Sequence, residues 1–164
     1  MRVILAGVLL AAAGLSAAAA SAPPDHPQPV QIEHAYAGWR EAVSFKRISE
    51  YFTGRENTGG EIILRTHPTE RGGYYFLVRV DNTGAPVPVK MNVRIISPDS
   101  GVARSFTFSP TLPVGRSLFD LGLTGPDWPG KNTHAVAWRL DIVDNAGNVL
   151  ASEKSYLWEK PAGL

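Results

Sequence analysis

The run from His134 to Trp158 limits what this chain can fold into more than any other stretch. It reads HAVAWRLDIV, then DNAGN, then VLASEKSYLW. Val136, Trp138, Leu140 and Ile142 alternate with Arg139, Asp141 and Val143. A period of two marks a strand with one face on a core. Asn145, Gly147 and Asn148 tolerate the positive φ that a tight hairpin turn needs. The second run is again rich in Val, Leu, Tyr and Trp, so the two halves are expected to pair as a hairpin.

Upstream, the same signal repeats. Ile62 to Thr66 reads as a short strand ended by Pro68. Tyr74, Phe76, Val78 and Val80 share one face of a second strand, with Arg79 and Asp81 on the other. Asn82-Thr83-Gly84 turns the chain. Val87, Val89, Met91, Val93 and Ile95 then alternate with Lys90, Asn92 and Arg94. Val102 to Phe108 and Ser117 to Leu123 complete a set of seven with the closing hairpin. Thirteen prolines and sixteen glycines punctuate the chain at short intervals. Short strands at this spacing predict a seven-stranded antiparallel β-sandwich over residues 55–160.

Before it, Ala35 to Thr53 predicts a helix. Trp39, Ala42, Phe45, Ile48 and Phe52 recur at three- and four-residue intervals, placing them on one face. Gly54 is a suitable C-terminal stop. The β-friendly Phe45, Ile48, Tyr51 and Phe52 leave a strand as the alternative. Residues 35–54 are thus expected to pack as a helical segment on the sheets. Residues 21–34 begin Pro-rich and read as an extended tether.

The first twenty residues have the layout of a secretory leader. Arg2 is the positive start, Val3 to Leu10 the apolar run, and small residues follow. Cleavage is expected after Ala20, and the product is expected in the periplasm or outside the cell. The absence of cysteine excludes both lipid attachment at such a site and disulfides. Sixteen basic and fifteen acidic residues become fifteen of each once Arg2 leaves. That neutrality argues against nucleic acid, which demands a basic footprint, and against anionic membrane surfaces.

Trp138 to Asn148 (WRLDIVDNAGN) resembles the penultimate strand and turn of bacterial immunoglobulin-like and fibronectin type III-like modules. The aromatic Trp138, the aliphatics Leu140 and Ile142, and the turn residues Asp144, Gly147 and Asn148 carry the likeness. Phe76 to Gly84 (FLVRVDNTG) is similar to an early strand of such modules. The likeness covers roughly residues 61 to 158 and lacks the cysteine pair that often reinforces these modules. It implies an Ig-like sandwich, a fold that hosts adhesion, carbohydrate binding, assembly and spacer roles alike.

Catalytic chemistry finds little purchase. Gly125 to Asn132 (GPDWPGKN) is one residue from a phosphate-binding loop. Asn132 replaces the magnesium-holding hydroxyl, two prolines remove amide donors, and a strand follows where a helix is needed. His26, His34, His67 and His134 show no metal-ligand spacing. No cofactor and no metal are expected. The candidate ligand contacts are Trp128 beside Asp127, a ring and a carboxylate suited to a sugar or a protein hot spot. Trp128 in that loop is otherwise a plug for one end of the core. Arg65 and Arg71, in a mixed-charge cluster with Arg55, Glu56 and Glu70, are the second candidates, since guanidinium grips carboxylates bidentately. The expected function is a non-enzymatic binding or assembly module whose partner is a protein or carbohydrate of the cell envelope. A small glycan hydrolase using Asp127, and an edge-strand chaperone or inhibitor, are the alternatives.

Overall fold

In the computed structural model, which describes residues 29–159, nine strands form two sheets. The leader and most of the tether, with His26, lie outside the described residues. Strands β1 (Val30–Arg40), β3 (Gly73–Asn82), β7 (Gly115–Thr124) and β2 (Ile62–Arg65) make the first sheet, in that order. Strands β5 (Ala103–Phe108), β4 (Val87–Ile96), β8 (Ala137–Asp144) and β9 (Val149–Lys154) make the second, with β6 (Thr111–Leu112) added on β4.

The expected alternation sets the inner faces. Phe76, Val78 and Val80 of β3 meet Met91, Val93 and Ile95 of β4 and Leu140 and Ile142 of β8 in one core. Phe119, Leu121 and Leu123 of β7 complete it. Trp138 sits on the expected face but is only partly buried, its ring edge-on to Phe76 at 5.5 Å. The β8–β9 turn closes as its composition predicts. Gly147 has φ 89°, and Asp144 Oδ1 accepts the Asn148 amide at 2.8 Å.

Four expectations are corrected. Among the described residues there are nine strands, not seven, because β1 and the two-residue β6 add to the expected set. Residues 30–34 are not tether, and residues 35–40 are not helix, because both belong to β1, paired along β3 from Val30 to Arg40 with a bulge after Ile32. The helical content of the next stretch is a 3-10 turn over Ala42–Phe45 and a six-residue helix, α1, over Ile48–Thr53. Finally, the sheets are not wholly antiparallel, since β2 runs parallel to β7, Ile62 to Arg65 against Phe119 to Gly122. The cause is topological. β1 and β2 lie at opposite edges of one sheet, so the connecting residues 41–61 cross the whole sheet.

Candidate functional site

That crossing segment, the arm, docks on the outer face of the first sheet. Tyr75 alternates with the core residues Tyr74 and Phe76, so its ring points away from the core. It is nevertheless fully buried, because Phe45 of the arm packs on it at 4.7 Å. Gly122 on the neighbouring strand makes room for this ring. A Cβ there would lie 2.5 Å from Tyr75 Cε1.

Polar bonds fasten the arm around this ring pair. Tyr75 Oη accepts from Arg65 Nε at 2.8 Å and donates to the Arg71 carbonyl at 2.7 Å. Arg65 also grips Glu56 with both terminal nitrogens, at 3.1 and 2.6 Å. Arg71 Nη1 donates to Glu50 Oε2 at 2.6 Å, and the other oxygen of Glu50 accepts the Asn57 amide at 3.2 Å. The Arg71 hydrogen bond outweighs desolvation and holds the Glu50 carboxyl below its usual range. Arg65 does the same for Glu56.

Fixing Glu50 toward the sheet decides what α1 shows to solvent. Two residues on a helix are about 200° apart, so Ile48 and Phe52, on either side of Glu50, point nearly the opposite way. Ile48 is 79 %, Tyr51 76 % and Phe52 85 % exposed, and Val43 of the preceding turn is 70 % exposed. Sequence periodicity placed Ile48 and Phe52 on a buried face. Of that set in the arm itself, only Phe45 is buried. Among the described residues Lys46 and Arg55 flank the apolar group without pairing to a carboxylate, and Arg47 is 3.9 Å from Glu61.

Beneath the arm, Arg40 at the end of β1 pairs with Asp120 of β7 and lies 4.2 Å over the Phe45 ring. Asp120 is fully buried, and burial raises its carboxyl above the usual range against the pull of Arg40. Its Oδ1 and Trp39 Nε1 are the buried side-chain polar atoms without a hydrogen-bond partner among the described residues.

The four residues expected to contact a ligand are all engaged internally. Arg65 and Arg71 do converge, but on Glu56, Glu50 and Tyr75, where they hold the arm. Asp127 binds His67 Nε2 at 3.1 Å and Arg104 Nη2 at 3.3 Å. Exposure of Trp128 is corrected: the ring is 4 % exposed, stacks on Tyr74 and donates from Nε1 to the Thr133 carbonyl at 3.2 Å. A 3-10 turn over Gly125–Asp127 folds the loop back so that the ring caps the core, the plug that was the other expectation. The signal that could have found the exposed group was the carboxylate of Glu50 set midway between Ile48 and Phe52. Among the described residues no group of His, Asp and Glu is arranged to hold a metal, and no helix is long and apolar enough to cross a membrane. No protein-family model matches the chain, and no curated protein matches it either.

Proposed function

We propose that the chain is an exported, non-enzymatic binding module, an Ig-like sandwich that presents the arm to a partner protein of the cell envelope. The observation that carries this is the outward set of Ile48, Tyr51 and Phe52 on a helix that buries nothing. Isolated exposed hydrophobics are ordinary, but a group of three or four on one short segment marks an interaction surface. The segment is also held on the sheet by Phe45, Glu50 and Glu56, so little ordering remains to be done on binding. Covering each large apolar side chain contributes about 1.5–3 kcal/mol before association costs. Lys46 and Arg55 at the rim favour a partner whose apolar patch is bordered by carboxylates.

A photo-reactive residue at position 51 tests this in envelope extract. The expected result is one cross-linked protein, lost in the Phe52→Ser variant and weakened by added salt or by Lys46→Glu with Arg55→Glu. Cross-linking that survives Phe52→Ser would overturn the assignment. So would sedimentation of the purified chain as a dimer through this surface, or its pelleting with lipid vesicles.

A further inference from the structure

A pocket of about 260 Å³ lies between the arm and the outer face of the first sheet, walled by Arg40, Ser44, Arg47, Thr58, Glu61 and Ile63. Its charges come in opposed pairs. Arg40 is bound to Asp120, and Arg47 stands 3.9 Å from Glu61 while donating to the Thr58 carbonyl at 3.2 Å. Asp120 already meets the Arg40 charge, so an anion entering here faces Glu61 and a cation faces Arg47, and neither gains a net attraction. The Phe45 ring is already covered by the Arg40 guanidinium, which leaves no aromatic face for a planar ligand. What remains on offer is an alternation of donors and acceptors: the Glu61 carboxylate, the Arg47 guanidinium and the hydroxyls of Ser44 and Thr58.

A hydroxyl group suits such a wall because it donates and accepts at once. The volume is near the lower limit, about 300 Å³, of small-molecule sites, which suits one ring and not an oligomer.

We propose that this pocket binds a single neutral polyhydroxylated ring, a sugar residue or cyclitol, held through Glu61, Arg47, Ser44 and Thr58. The site is distinct from the apolar surface of α1 and stands or falls independently of it. The test is a heteronuclear NMR titration of the mature chain with N-acetylglucosamine, glucose and myo-inositol, and with glycine and acetate as charged controls. At least one polyol should shift the backbone amides of residues 44, 47, 58 and 61, with the charged controls inert. Glu61→Ala should weaken that polyol at least tenfold with the thermal midpoint unchanged. Should Glu61→Ala not fold, Ser44→Ala decides, since that hydroxyl otherwise donates only to the Glu41 carbonyl. A severalfold loss is expected there. The proposal is overturned if no polyol moves these amides, if glycine or acetate moves them instead, or if the variant that folds binds as the parent does.

Discussion

Tyr74 and Trp128 stack with ring centroids 4.3 Å apart and planes inclined by 24°, and this pair closes one end of the core. Tyr74 also meets Phe76 edge-on at 5.8 Å, so the stack continues into the interior. Trp128→Ala would leave a cavity in the core against the Tyr74 ring. The expected cost is about 3–5 kcal/mol, read from urea unfolding. A change under about 0.5 kcal/mol would place the ring in solvent and contradict the stack.

The outer-face ring pair makes a sharper prediction at Gly122. A methyl group there meets the Tyr75 ring, which Phe45 pins from the other side. Gly122→Ala should cost about 1–3 kcal/mol by overpacking. Because the strain falls on the arm, tyrosine fluorescence and the exchange of amides in residues 42–60 should change more than those of β4 and β8.

Arg65 should not be replaceable by Lys. Its fork serves both oxygens of Glu56 and, through Nε, the Tyr75 hydroxyl, and its side chain is only 6 % exposed. An ammonium carries the charge but not the fork. Trypsin should cut at Arg55 faster in Arg65→Lys than in the parent chain, by about tenfold for each 1.4 kcal/mol of arm docking lost. Equal cutting rates would show that the fork does not hold the arm.

Two buried carboxylates should respond to pH with opposite signs. Burial raises Asp141, but the Ser152 hydroxyl and the Arg139 and Arg94 guanidiniums outweigh it and hold the carboxyl below 3.8. A lowered folded value means stabilisation that is present above 3.8 and lost as pH falls through the lowered value. Asp141→Asn should therefore be less stable than the parent at pH 7, by about 2 kcal/mol, and the gap should close in acid. Asp120 is raised by burial. Its contribution is full below 3.8 and lost as pH rises through the raised value. Asp120→Asn should remove that fall. Stability curves for both variants across this range check the two signs.

The interior was legible because alternation is a local signal: Phe76, Val78, Met91, Val93, Leu140 and Ile142 all face the core as their spacing requires. β1 was not, because Val30 to Arg40 mixes Tyr36, Ala37 and Trp39 with Gln31, Glu33 and His34. Its inward residues pack only where β3 and the second sheet supply a surface. The arm was misread for a different reason. Ile48 and Phe52 satisfy helical spacing, but spacing tells which residues share a face and not which way that face points. An ion pair to Arg71, 21 positions away in the chain, sets the direction. The same kind of distant partner, Arg40 for Asp120, made a buried carboxylate that no local pattern marks.

The route of the arm, out from one edge of a sheet and back at the other, makes the sheet hold both ends of its own strap. Cut once between residues 54 and 60, the molecule would become two polypeptides yet lose no strand. The first would keep β1, registered against β3 at ten positions, and the second would begin with β2 lying on β7. The fragments would travel together until denaturant separated them, with Glu50 on one still bonded to Arg71 on the other. Glu56, by contrast, would sit at the new end and lose its leverage on Arg65. Proteolysis at this point would then act as a slackening of the strap and not as degradation: the body stays intact while the display of Ile48, Tyr51 and Phe52 loosens.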